Sequence, residues 1–321
     1  MFSIKWDDMD LGDVSFSDLA GSRAPARVID HENVAVRKAA VKGTVEIIAD
    51  MILEAKGNLV FLTGAGMSAA SDIPTFRDPD HGVWATRDPK QCGTKEAFVH
   101  HPERLWTVLM DVVGPENDPK PNLGHKALGD LEALGFTSTV VTQNVDDLHE
   151  NAGNKDVMHL HGNLWRTFCV ACGLQGTNTH ELLRTVKKVD LPPRCDHCHG
   201  VLKPDAILFG ELLDNSIVDR ASDLVKHTPL LFVLGTSARV TPASDFPIMA
   251  ANHGAKVVEI NMERTQLTDT CVDVFMNEPL EVVLPQIVEL VRQKHLKKDP
   301  LGTSMFTLLS SVLNGSSKMP E

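Results

Sequence analysis

Apolar positions along this chain follow two rhythms. Between Val34 and Ala55 they recur three and four residues apart, at Val41, Val45, Ile48 and Ile52. That spacing predicts an amphipathic helix, with Asn33 as its cap and Gly43 as a local weakness of about 1 kcal/mol. The pattern breaks at Gly57, and Leu59-Val60-Phe61-Leu62-Thr63 follows as a short unbroken apolar run of the kind found in parallel strands buried on both faces. Similar runs at 138–142, 206–209, 230–234 and 256–260 predict four further strands, and helical patterns fill 214–226, 245–253 and 279–294. Strand alternating with helix predicts an α/β fold, a Rossmann-like doubly wound parallel sheet. Two regions do not fit it: 79–121, rich in Pro, His and short helical pieces, and 165–203, which holds paired cysteines. Residues 1–32 and 296–321 read as appendages, and the chain has neither internal repeats nor a low-complexity tract.

Composition narrows the function classes. At 321 residues the chain has room for one large domain or two modest ones, and 42% apolar with 23% charged residues excludes a disordered, collagenous or coiled-coil whole. The formal charge of −12 repels phosphate backbones, so no direct nucleic-acid ligand is expected, whereas a basic polypeptide is steered towards such a surface. Tyrosine is absent, which removes every mechanism that needs a phenol, including the Tyr/Lys pair of many short-chain dehydrogenases. The acidic N-terminus lacks an apolar core, and no run of 18 apolar residues occurs, so neither a signal peptide nor a membrane span is expected. An intracellular protein is expected, cytoplasmic or nuclear, since Lys187, Lys188 and the lysines of 294–298 are too sparse for a nuclear signal.

Four of the six cysteines form two Cys-x-x-Cys knuckles, Cys169 with Cys172 and Cys195 with Cys198, separated by residues 173–194. This approaches the spacing of a four-thiolate zinc site, closed and therefore structural, with two disulfides or four idle thiols as the alternative. His197 and His199 stand close enough to replace a thiolate, but four cysteines are the simpler set, and Cys92 and Cys271 read as small apolar residues.

The first strand runs into Gly64-Ala65-Gly66-Met67-Ser68-Ala69, a Gly-x-Gly-x-x-Ala fingerprint before an expected helix, where backbone N–H groups can approach a pyrophosphate. A small-residue turn used only for packing has the same appearance. Ile73-Pro74-Thr75-Phe76-Arg77 follows, offering one aromatic ring and one guanidinium. The second strand ends in Thr142-Gln143-Asn144-Val145-Asp146-Asp147-Leu148-His149, and His159-Leu160-His161-Gly162 comes shortly after, with His161 a candidate general base. Phe209-Gly210-Glu211, Gly235-Thr236-Ser237 and Asn261 close the remaining predicted strands. Polar or glycine clusters at the carboxyl ends of five predicted strands point to a ligand crevice.

In order and spacing, these motifs and the two cysteine knuckles resemble the sirtuin family over about residues 44 to 294. Sirtuins are NAD-dependent protein lysine deacylases. The resemblance implies an N-terminal extension at 1–36, a Rossmann-like domain built from 37–79, 122–164 and 204–295, a cofactor loop and helical insertion at 80–121, a zinc-binding module at 165–203 and a C-terminal tail at 296–321. It implies NAD as co-substrate, structural zinc on Cys169, Cys172, Cys195 and Cys198, and acyl-lysine proteins or peptides as substrates. His161 is then the general base acting through the ribose hydroxyls, with Asn144 and Asp146 orienting ribose, carboxamide and a water. Phe76 covers the reacting face and Arg77 faces ribose or phosphate oxygens, while Gly64, Ala65, Gly66, Ser68, Gln143, Gly235, Thr236, Ser237 and Asn261 complete the cofactor set. The peptide is expected as an extended strand beside Phe209, Gly210 and Glu211, bound through its backbone.

Two departures matter. Asp72 stands where many sirtuins have Gly, and Thr75 where many have Asp. Thr75 is shared with sirtuins that remove succinyl and malonyl groups, but their carboxylate-binding Tyr and Arg align here with Leu109 and Val112, so neutral acyl groups, acetyl first, are expected. The rival readings are a mono-ADP-ribosyltransferase, a non-catalytic NAD-responsive scaffold and, on the bare pattern, a dehydrogenase with structural zinc.

Overall fold

Alternate residues of each central strand serve two different cores. The computed structural model describes residues 34–75, 82–83, 87–114 and 117–298. The strands are β1 Leu59–Thr63, β2 Ser138–Thr142, β3 Val157–His159, β4 Gly162–Cys169, β5 Leu202–Ala206, β6 Leu230–Leu234, β7 Lys256–Ile260 and β8 Val274–Met276. Six of them form one parallel sheet in the order β3-β2-β1-β6-β7-β8. Leu59, Phe61, Leu230, Phe232, Leu234, Val258 and Ile260 point to one face, where they pack with the helices Val34–Ala55, Leu123–Ala133 and Leu280–Lys298. Val60, Leu62, Leu231, Val233 and Val257 point to the other, covered by Asn215–His227 and Asp245–Asn252. Helices on both faces of a parallel sheet are the expected doubly wound arrangement. Phe61 and Phe232 stack across β1 and β6 with ring centroids 5.0 Å apart, anchoring the centre of the first core.

Local chemistry sets the helix limits. Helix Val34–Ala55 buries Val45, Ile48 and Ile52, as its periodicity requires, and its expected cap Asn33 lies outside the described residues. Asp214 caps Asn215–His227 by accepting from the Ser216 N–H. Asn122 opens Leu123–Ala133 with a capping box, its side chain accepting from Gly124 and His125 while the His125 ring returns to the Asn122 N–H.

Three expectations are corrected. Residues 206–209 are not a strand of the parallel sheet: the strand there is β5, which begins four residues earlier and ends at Ala206, and it pairs antiparallel with β4 in a separate two-stranded ribbon. A short apolar run does not announce its partner. The expected helix after Gly66 is instead two single turns of 3-10 helix, Ala65–Met67 and Ala69–Ser71. It stops because Asp72 adopts a left-handed conformation (φ 61°) and Ile73-Pro74 follows, so no long helix lends its dipole to an anion there. Finally, β3 and β8, three residues each, add two strands that their brevity hides from pattern reading.

The ribbon β4–β5 lies outside the large sheet. A third apolar cluster joins its residues Trp165, Cys169 and Leu202 to Phe98, Leu105, Trp106 and Leu109 from the helices Lys95–His100 and Pro102–Val113, and to Leu183 of Thr179–Thr185. Trp106 is fully buried and its indole N–H donates to the Leu202 carbonyl at 2.9 Å. The two regions that fit no α/β pattern thus share one small core.

Candidate active site

Parallel register brings the carboxyl ends of the strands to one edge. Thr63 pairs with Thr142 and Leu234, Leu234 with Ile260, and Thr142 with His159. The residues that follow, Gly64, Gln143, Gly235, Asn261 and His161, therefore share one rim of the sheet.

At the centre the backbone makes a tight cradle. Gly64 N–H donates to Leu234 O at 3.0 Å and Gly66 N–H to Gly235 O at 2.8 Å. A Cβ on Gly66 would lie 2.8 Å from both Cα and O of Gly235, so any side chain there collides with backbone. Around it, Gln143 Nε2 donates to Thr236 Oγ1 and Asn261 Nδ2 to Thr236 O, both at 2.9 Å. Ala65 and Ser237 are partly exposed on the same turns.

Beneath the cradle lies a buried polar relay. Asn144 Nδ2 donates to Gly64 O at 3.0 Å and to Ser68 Oγ at 3.1 Å, and Ser68 Oγ donates to Asp146 Oδ2 at 2.8 Å. The Leu148 N–H donates to Asp146 Oδ1. Burial raises the pKa of the Asp146 carboxyl, and the Ser68 and Leu148 bonds oppose that rise. Burial likewise raises Asp147.

His161 Nδ1 stands 3.0 Å from Gln143 O, a carbonyl that can only accept, so Nδ1 carries the proton. Its Nε2 is then a lone-pair acceptor, buried and without a hydrogen-bond partner among the described residues. Burial pushes this imidazole down to about 4, so it is neutral near pH 7. The neighbouring Gly162 has φ +75°, and a Cβ there would lie 1.9 Å from Asp205 O; the glycine is required where β4 meets β5.

Phe209, Gly210 and Glu211 do not close a strand of the sheet. Phe209 N–H donates to Gly93 O at 3.0 Å, and Lys95 N–H donates to Phe209 O at 2.9 Å, so the Phe209 backbone is already paired within the chain. Glu211 accepts from the Leu208 N–H at 2.8 Å and from Lys203 Nζ at 3.0 Å. Ile207 N–H donates to His161 O at 2.8 Å and ties this loop to the histidine. Phe76 and Arg77 lie outside the described residues. Asp72 is exposed.

The four cysteine sulfurs lie within 4.8 Å of one another. The separations Cys169 to Cys198, 3.4 Å, and Cys172 to Cys195, 3.9 Å, are far from a disulfide's length of about 2.05 Å. They match the edge of about 3.8 Å that a tetrahedron with zinc–sulfur bonds of about 2.3 Å requires. The donor set and its geometry fit structural zinc.

Sequence reasoning assigned no role to three further buried histidines. His125 is fully buried with Nε2 3.5 Å from Ser68 Oγ, and His149 Nε2 is 3.0 Å from Thr63 Oγ1. Their rings meet edge to face at 4.9 Å, and burial drives both pKa values down, His125 to about 4. His159 bridges Asn144 O and Glu150. The signals were present in the Asn122 capping box and in the alternation of His159 with His161, but neither spacing distinguishes a buried partner from a solvated one.

The Sir2 family model matches residues 64–242. The chain is 40% identical over 247 residues to NAD-dependent protein deacylase 2 of Pyrobaculum aerophilum, covering 77% of this chain and 96% of that protein. It is 37% identical to the NAD-dependent protein deacetylase of Saccharolobus solfataricus, covering 78% and 98%. Among solved structures it resembles a Sir2 homolog–NAD complex, with TM-score 0.70 and 32% identity over 87% of this chain and 99% of that one. It also resembles a Sir2 variant with a deacetylated p53 peptide and 3′-O-acetyl ADP ribose, with TM-score 0.69 and 32% identity over 76% and 97%.

Proposed function

The chain belongs to the Sir2 family, and on that premise we propose the roles by which its residues perform NAD-dependent removal of acyl groups from lysine. The protein is an NAD-dependent protein lysine deacylase acting on acyl-lysine proteins or peptides. Two features of the rim suit the dinucleotide: a glycine cradle that admits no Cβ, and a buried imidazole nitrogen that lacks a partner among the described residues. Bound NAD supplies an electrophilic ribose carbon and nicotinamide as a leaving group.

The chain's own residues would do the rest. Gly64, Ala65, Gly66, Gly235, Thr236, Ser237 and Asn261 form the surface that holds the pyrophosphate and adenosine end, and Ser68, buried beneath it, supports Asn144 and Asp146. Asn144 and Asp146 orient the nicotinamide ribose; both amide hydrogens of Asn144 are committed to Gly64 O and Ser68 Oγ, and Asp146 is held by Ser68 and the Leu148 N–H, so the positions of the pair are fixed before NAD binds. His161 Nε2 accepts a proton from a ribose hydroxyl, and the Gln143 carbonyl stabilises the resulting imidazolium through Nδ1–H. Gln143 also supports Thr236, linking the base to the cofactor cradle. Phe76 and Arg77 keep the assigned roles of covering the reacting face and meeting phosphate or ribose oxygens. The peptide runs beside Gly210 and Glu211, with Phe209 already committed to Gly93 and Lys95. The four cysteines gather at the end of β4 away from Gly162 and His161, where a bound zinc would serve folding.

Neutral acyl groups, acetyl first, are the preferred substrates. Leu109 is buried among apolar side chains and Val112 packs against the same cluster, so neither offers a partner to an acyl carboxylate. The observation that carries the reading is His161 Nε2, without a partner among the described residues, on a rim shared with the glycine cradle. The test incubates enzyme, labelled NAD and peptides bearing acetyl-, myristoyl- or succinyl-lysine. Label recovered as O-acyl-ADP-ribose, with acetyl far above succinyl, supports it; label on protein indicates ADP-ribosyl transfer, and no NAD turnover indicates a scaffold.

A further inference from the structure

His159 occupies the last position of β3, pairs with Thr142 of β2, and makes hydrogen bonds from both ring nitrogens. Nδ1 is 3.2 Å from the Asn144 carbonyl oxygen, and Nε2 is 2.7 Å from Glu150 Oε1. A carbonyl can only accept, and the ionised carboxylate also only accepts, so both bonds are made together only when the ring carries two protons. The residue is buried while the Glu150 side chain is 39% exposed, which leaves a route for proton exchange. Asn144 is consequently gripped at two points. Its side chain is fixed by Gly64 and Ser68, and its backbone is fixed by His159.

We propose that His159 is a positioning residue for the reaction, a doubly bonded clamp that ties the Asn144 carbonyl to Glu150 and so holds the turn carrying Asn144 and Asp146 in register with Ser68. The inference rests on the assignment of Asn144 and Asp146 to the ribose. Charged and titratable groups surround the ring on several sides. Glu150 and the Asp146 carboxylate favour the imidazolium, Arg166 of β4 opposes it, and His149, held neutral by burial, adds no charge. Glu150 and the Asn144 bond prevail over burial, and the His159 pKa is raised. When the ring loses a proton, the one that remains stays on Nε2 against the carboxylate, because a charge-assisted bond is the stronger of the two. The contact that deprotonation abolishes is therefore the one to Asn144.

Two substitutions separate the contacts. His159→Asn places an amide donor near Nδ1 and keeps only the Asn144 bond; His159→Gln places one near Nε2 and keeps only the Glu150 bond. In NAD-dependent deacetylation, wild-type kcat should fall on the alkaline side as His159 titrates. His159→Gln should stay about tenfold below the wild-type plateau, the worth of one hydrogen bond, without a limb of its own, so that the wild-type curve falls to meet it on the alkaline side. His159→Asn should stay within about threefold of the wild-type plateau, also without the limb. Glu150→Gln should move the limb to lower pH. Nitrogen-15 NMR of the wild-type protein reads the ring itself: its titration should fall above pH 6.5 and carry the Asn144 and Val145 amide shifts with it. Wild-type kcat in His159→Gln, or a ring that titrates without moving those amides, overturns the proposal. A ring and amides that move as expected in a protein without acyl-removing activity would leave the clamp standing and overturn the reaction assignment instead.

Discussion

The imidazole of His161 and the carbonyl of Gln143 meet at 3.0 Å, and this one contact decides which nitrogen of the histidine can act as a base. Gln143 leaves β2 by donating its N–H to Thr63 O at 2.9 Å, so its carbonyl is held by the sheet itself, and its side chain reaches Thr236 on the opposite side of the cradle. Proton acceptor and cofactor cradle are therefore positioned by a single residue of the sheet edge.

His161→Ala removes the acceptor and leaves the cradle intact. A positioned general base contributes about 100-fold or more to rate, so nicotinamide release with acetyl-lysine peptide should fall by about that factor. NAD affinity, read by calorimetry, should change by less than about threefold, since the ring is not needed to hold the pyrophosphate. Turnover within about tenfold of wild type would remove His161 from the base role.

Gly66→Ala should act in the opposite sense, on binding more than on the chemical step. Its Cβ would meet Gly235 backbone at 2.8 Å, and neither strand end can retreat without breaking the Gly66 to Gly235 hydrogen bond. Overpacking of this kind destabilises by about 1–3 kcal/mol and should lower the melting temperature together with NAD affinity. Unchanged melting and unchanged affinity would show that the turn is looser than its contacts indicate.

Purified protein should hold one equivalent of zinc. The metal links the loop after β4 to residues preceding β5, and Cys169 and Cys195 also belong to the small apolar core, so stripping it releases packing as well as ligation. Exhaustive chelation, or Cys169→Ser, should lower the melting temperature and abolish peptide turnover. Verified metal loss with melting and activity both unchanged would refute a structural role.

Acid should weaken the fold before it attacks the site's carboxylates. His125 and His149 have folded pKa values depressed below 6.5, so they stay neutral in the native state while the unfolded chain binds their protons. Their stability contribution is complete above about pH 6.5 and is lost as pH falls below it, for His125 down to about 4, at up to about 1.4 kcal/mol per pH unit for each ring. Asp146, Asp147 and Glu259 have raised pKa values and act in the opposite direction, but their stabilisation develops only as pH falls through the carboxyl range. The urea midpoint should drop between pH 7 and pH 5; a flat profile would mean these histidines are protonated in the folded protein.

Much of this architecture was legible because the central strands are buried on both faces, so β1 and β6 read as nearly unbroken apolar runs and β2 and β7 as short β-branched ones, and all four have the expected limits. The cysteine spacing was as readable, since a tetrahedral metal site constrains ligand chemistry and geometry together. Three-residue strands such as β3 and β8 carry too little periodicity to be seen. Partnership was also hidden: nothing local marks Leu202–Ala206 as the antiparallel mate of β4, or Phe209 as bonded to Gly93 and Lys95. The same holds at the site, where the motifs exposed Asn144, Asp146 and His161, whereas His125, His149 and His159 act through contacts made only on folding.

Asp72 separates backbone strain from electrostatics. It has φ 61° and ψ 18°, an exposed side chain, and a position just after the turns that carry Ser68. A left-handed conformation costs an ordinary residue about 1–2 kcal/mol and Asp less, because its short polar side chain tolerates that region. Asp72→Gly relieves this strain but gives the unfolded chain more freedom, worth about 0.4–1 kcal/mol, so the two effects nearly cancel. Stability should stay within about 1 kcal/mol of wild type. The lost charge is not offset in the same way: a carboxylate beside the turns assigned to the dianionic pyrophosphate repels it through solvent, and removing it should lower KM for NAD by about twofold at low ionic strength and by little at 0.5 M salt, where the screening length is only about 4 Å. A KM gain that persists at high salt would instead assign the effect to the shape of the turn, and a melting rise with no change in KM would show that Asp72 only strains the backbone.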